Sequence, residues 1–166
     1  MSSIAALQAS QRLRCRQIAQ CDLAALADLL ARGFPLSTRD YWTDGFERLR
    51  ALPEVEGVPR FGYLLESAET IIGVLLVIGS RRGERIFCNL SSWHVEPDWR
   101  AYSTMLVSMA TKLTHVTYFN ISPSPHTWRT LEAQGFKQYN YGRSAVVSAL
   151  TPGRGRVSDV LTGDVP

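Results

Sequence analysis

The sequence predicts an α+β fold, a mixed, mainly antiparallel sheet of six to seven strands flanked by about four helices. Three β-like runs, "RFGYLLES", "TIIGVLLVIGSRR" and "RIFCNLSSWHV", follow one another with only the polar links "AE" and "GE" between them. Links that short join antiparallel neighbours. Before these runs, Leu23, Leu26, Leu29 and Leu30 recur at helical spacing. After them, an apolar-striped helical stretch separates the fourth strand from the fifth, the kind of connection a parallel crossover requires.

Taken in order, residues 1–11 carry no pattern and are expected to form a flexible arm. "RLRCRQI", residues 12–18, alternates polar and apolar as a half-buried strand does. "AQCDLAALADLLARGF" reads as the first helix, with Asp22 as N-cap and Gly33 as its stop. "TRDYWTDGFERLRALPEV" reads as the second, its Tyr41, Trp42, Phe46 and Leu49 sharing a face and Pro53 ending it. Beyond the three antiparallel strands come a helix over residues 101–113, "HVTYFNIS" as a strand and "HTWRTLEAQ" as a short helix. "GFKQYNYGRSAVVSAL" follows as two more short strands. Residues 12–150 thus form one domain, and the Gly- and Pro-bearing residues 151–166 a tail or linker.

A chain of 166 residues, 45% hydrophobic, suits a single core. Its 18 Lys and Arg against 15 Asp and Glu give +3, scattered rather than striped, so nucleic acid is not an expected partner. The longest apolar run, "TIIGVLLVIG", is far short of the roughly 18 residues of a membrane span, so no membrane is expected. The start of the chain has no signal-peptide h-region. Cys15, Cys21 and Cys88 are odd in number and form no C-x-x-C pair. They read as reduced, mostly buried thiols in a cytoplasmic protein.

The stretch "LSSWHVEPDWRAYSTMLVSMATKL" turns from strand to helix through Pro97 and Arg100. Such a turn aims backbone N–H groups and the positive end of a helix dipole at an anion. With the order of elements and "LEAQGF", it resembles the GNAT superfamily of acyl-CoA-dependent N-acyltransferases over residues 12 to about 147. In that family the fourth strand ends in Val-x-Pro-x-(aromatic)-Arg, matched by Val95, Pro97, Trp99 and Arg100. The pyrophosphate loop that follows keeps Arg100 and replaces the family's two small positions by Ser103 and Met105. Gly135 and Phe136 match the close of the last helix, while the slot of the family's tyrosine acid holds Leu131.

The resemblance implies an N-acetyltransferase that uses acetyl-CoA, or another acyl-CoA, as co-substrate and no metal. Backbone groups of Trp93, His94 and Val95 would pair with the pantetheine arm, and Arg100, Ala101, Tyr102, Ser103, Thr104 and Met105 would hold the pyrophosphate. The strand face that carries the family's base falls, counted back from Val95, on Phe87, Asn89 and Ser91. Asn89 and Ser91 are the catalytic candidates, as holders of a water chain. The acceptor is a small-molecule or peptide amine, and a homodimer stays open as an assembly. The alternative is a catalytically degenerate GNAT-fold ligand-binding or interaction module, half of a tandem protein. His94, Glu96 and Asp98 alternate as metal ligands do, but Pro97 interrupts them, and solvated turn residues is the better reading.

Overall fold

The computed structural model describes residues 13–139. Its five strands lie in sequence order across one sheet. β1 (Leu13–Gln17), β2 (Gly62–Ser67), β3 (Thr70–Arg82) and β4 (Arg85–Val95) pair antiparallel. β5 (Val116–Phe119) runs parallel to β4, Ile86 opposite Val116 and Asn89 opposite Phe119. The described strands number five rather than six to seven. Of "GFKQYNYGRSAVVSAL", residues 135–139 form a turn and coil, and the remainder lies outside the described residues, with the arm and the tail.

Two helices cover one face of the sheet. α1 (Leu23–Gly33) and α2 (Arg39–Ala51) bury Leu26, Leu30, Trp42 and Phe46 against Leu64, Val74 and Leu76. On the other face α3 (Ser103–Ala110) and α4 (Trp128–Ala133) set Leu106, Val107 and Leu131 against Leu65, Leu75, Val77 and Leu90. Each fully buried leucine stabilises this arrangement by about 1.5–3 kcal/mol relative to exposure. The β2 residues alternate between the two cores because their side chains point to opposite faces in turn.

Local chemistry explains the boundaries. Thr38 caps α2, its Oγ1 accepting the Tyr41 N–H at 3.2 Å, and Leu52 turns extended at ψ 150° because it precedes Pro53. Asp22 makes no side-chain cap on α1. It accepts instead from the Ala19 N–H at 2.7 Å and from Arg16 at 2.7 and 2.9 Å, closing the 3-10 turn Gln20–Asp22 ahead of the helix. α3 is shorter than residues 101–113, because Pro97 seeds a 3-10 turn over Pro97–Tyr102 before the α-helix begins. "LEAQGF" is a helix stop. Gly135, at φ 88°, donates to the Glu132 carbonyl and Phe136 to that of Leu131, which leaves Phe136 packed on the same core as Leu131.

Candidate functional site

The site starts from an irregularity in β4. Leu75 faces Trp93 but Leu76 faces Ser91, so Ser92 is an extra residue, with φ 37°. This β-bulge reverses the alternation of side chains. Cys88 and Leu90 on one side of it, and Trp93 and Val95 on the other, all belong to the α3 core. Ser91 reaches toward α2, and the His94 ring lies 6.1 Å from that of Phe34 at the end of α1. Counting back from Val95 by twos therefore crosses the sheet: Asn89 and Ser91 lie on the face opposite Val95, not on the same one. The sequence carried a signal for this, since the apolar positions 86, 88 and 90 are followed by 93 and 95.

The bulge coincides with the end of parallel pairing. β5 accompanies β4 only as far as Asn89. From Leu90 to Val95 the β4 edge turned away from β3 has no strand partner among the described residues. The strand then enters the Pro97–Tyr102 turn, where the Arg100 side chain is exposed and has no carboxylate partner among the described residues. Ser103 donates its N–H to the Arg100 carbonyl. Ala101 and Thr104 are exposed, whereas Tyr102 and Ser103 are half-buried. Met105 packs into the α3 core and so does not crowd this surface.

On the other face, a cavity of about 310 Å³ opens between α2 and the β3–β4 ladder. Trp42 and Phe46 wall it, Arg48 stands at its edge, and Ser91 and Ser92 line the β4 side with their hydroxyls 3.4 Å apart. Two polar atoms nearby, the Asn89 Oδ1 and the Trp42 Nε1, are buried with no partner among the described residues. His94 is packed too tightly to be a solvated turn residue. Burial lowers its pKa, Glu96 opposes that shift, and Arg100 and Arg32 add to it. The lowered pKa favours the neutral imidazole near pH 7, and Nε2 has no partner among the described residues. Burial also raises the Cys88 thiol to about 12, so this core sulfur is no nucleophile.

No family model and no curated protein matches the sequence. Solved structures do match the fold. A GNAT family acetyltransferase from Staphylococcus aureus subsp. aureus USA300_TCH1516 superposes with TM-score 0.59 at 11% identity, covering 82% of this chain and 99% of the other. The chain is a GNAT-fold protein. Glucosamine-6-phosphate N-acetyltransferase from Arabidopsis thaliana aligns over 81% of this chain and 97% of its own, at 14% identity and TM-score 0.55. The aminoglycoside N-acetyltransferase AAC(6')-Iy, in complex with CoA, aligns over 82% and 95%, at 12% identity and TM-score 0.62.

In this GNAT fold the residues singled out from sequence fall into two groups. Trp93, His94, Val95 and the run Arg100 to Met105 follow one another along the free β4 edge and onto the start of α3. Asn89 and Ser91 lie on the α2 side, Ser91 in the cavity wall. Leu131 is 5% exposed within the α3 core and offers no proton. Sequence reading missed Ser92, the packed state of His94 and the position of Arg48. Among the described residues no three His, Cys, Asp or Glu side chains gather as metal ligands, and no helix is long and apolar enough to cross a membrane.

Proposed function

We propose that this protein is a cytoplasmic acyl-CoA-dependent N-acyltransferase, which moves an acetyl group from acetyl-CoA to the amine of a small molecule or peptide. The observation that carries the reading is the free edge of β4 from Leu90 to Val95. A pantetheine arm is extended and holds two amides, so it can pair with such an edge as an added strand would. Arg100 is free to meet phosphate charge just beyond, where the α3 dipole also favours an anion. The Ser103 N–H is already engaged, so phosphate binding at this turn rests on Arg100 and the remaining groups.

The reaction forms a C–N bond and breaks a C–S bond. The acceptor nitrogen attacks the thioester carbonyl, loses one proton to solvent, and the sulfur departs as thiolate and is then protonated. N–H groups of the β4 edge polarise the carbonyl, and Asn89 and Ser91 hold the water that takes the amine's proton. No group at position 131 protonates the leaving sulfur. With a thiol pKa near 8.5, release as thiolate costs about 2 kcal/mol at pH 7. The test is release of free CoA with a panel of aromatic amines, amino sugars, polyamines and peptide N-termini. Saturable CoA binding with no release above the uncatalysed rate would defeat the enzyme reading and leave a binding module.

A further inference from the structure

We propose that the cavity between α2 and β4 takes an acceptor amine that also bears a carboxylate on an aromatic or branched apolar body, in the manner of a hydrophobic amino acid, with Arg48 as the carboxylate's partner. This rests on the acyl-transfer reading above and names its substrate class. The volume, about 310 Å³, is at the small end for ligand sites and fits one residue-sized molecule rather than an oligosaccharide. Its walls are apolar. Trp42 and Phe46, 8% and 3% exposed, form a rigid backing held by the core behind them, and the more exposed Tyr41 and Leu52 offer the apolar surface that a ring or a branched chain would meet.

The charge of the cavity decides the rest. Among the described residues Arg48 is its only charged lining residue, and no described carboxylate lines it. A polyamine or a multiply cationic sugar would meet a cation and an apolar wall there, and the acids beyond Leu52 that adjoin the cavity, Glu54 and Glu56, already face Arg60 and Arg81. No acid pairs with Arg48 among the described residues, and its guanidinium lies over the Tyr41 ring, 6.0 Å from the centre. The acid that precedes it, Glu47, is bound to Arg50 at 2.9 Å. A planar guanidinium braced on an aromatic face is suited to a carboxylate. Anchored there, the ligand's amine points toward Ser91 and Ser92, at the bulge where the free β4 edge begins. The amine then forms the amide with the acyl carbonyl and loses a proton to solvent, while CoA leaves as the thiolate and takes a proton from solvent afterwards.

The test compares phenylalanine, phenylalaninamide and spermine, measuring binding by calorimetry with and without CoA, and turnover by CoA release. Phenylalanine should bind saturably and be acetylated with kcat/KM about tenfold above the amide, the value of one charge-assisted hydrogen-bonded contact. Arg48→Met should weaken phenylalanine about tenfold and erase the preference over the amide, with Arg48→Lys between the two. Absence of saturable phenylalanine binding, equal binding by Arg48→Met, or preference for the amide or spermine would each overturn the assignment. Failure of CoA itself to bind would remove the acyl-transfer reading instead, and the phenylalanine titration without CoA still decides what the cavity holds.

Discussion

Gly33 and His94 should behave as one packing unit, and the substitution Gly33→Ala tests it. Gly33 closes α1 with no left-handed φ, so its backbone would accept a side chain. Space is what forbids one. A Cβ there would sit 2.5 Å from the Cγ and Nδ1 of His94 and 2.7 Å from its Cδ2. Carbon contacts are comfortable at about 3.5–4.0 Å, so the ring must retreat by about 1 Å. Phe34 limits that retreat, and so does β4, which carries the ring. Overpacking of this kind costs about 1–3 kcal/mol, while alanine's better helix propensity returns less than about 1 kcal/mol. The net expectation is a loss of about 1–2 kcal/mol, read as a urea-midpoint shift at constant slope. His94→Ala empties the contested space, so Gly33→Ala made in that background should cost nothing, a coupling of about 1 kcal/mol or more. Because His94 belongs to the free β4 edge, Gly33→Ala should also weaken CoA. A neutral Gly33→Ala, or a cost unchanged without the histidine, would refute the packing argument.

Three further outcomes follow from the same structure. Asp22→Asn should cost about 2–3 kcal/mol at pH 7, because it breaks a largely buried, doubly bonded ion pair with Arg16. The Arg16 bond holds the Asp22 carboxyl below its usual range, so this stability is present above about pH 4 and fades as pH falls further; acid unfolding of the variant should be correspondingly shallower in that window. The β2–β3 turn places Ala68 at φ 47° and Glu69 at φ 67°, so Ala68→Asn with Glu69→Gly should raise stability by about 1–2 kcal/mol in thermal unfolding. No carboxylate among the described residues lines the cavity and burial favours the neutral form of His94, so kcat/KM should rise with pH along the acceptor amine's own titration, and a plateau well below the amine's pKa would point to an unrecognised base.

Much of the fold was legible in the sequence. β3 and β4 begin and end where "TIIGVLLVIGSRR" and "RIFCNLSSWHV" do, because apolar alternation and turn residues agree there. α1 ends at Gly33 as expected, but what requires glycine there is the His94 ring filling the space of a Cβ rather than a left-handed cap, a constraint 61 residues away that no local pattern records. Asp22 looked like an N-cap because cap preference ignores Arg16, a competing partner from β1. The bulge was visible only as a slip in phase between Leu90 and Trp93, and rigid alternation reads straight through it. The strand-to-helix turn at the end of β4 could be read from Pro97 and the apolar stripe that follows it. Arg48 could not, since an exposed arginine on a charged helix has the same sequence signature whether it faces a cavity or open water.

The most direct measurement is calorimetric titration of acetyl-CoA into the protein and into Arg100→Glu. The wild-type protein should bind saturably below about millimolar concentration, and the charge reversal should weaken binding at least about tenfold, with the difference shrinking as salt is added. No heat and no thermal shift with the wild-type protein at near-millimolar acetyl-CoA would contradict the central claim that the free β4 edge and the Arg100 turn form an acyl-CoA site.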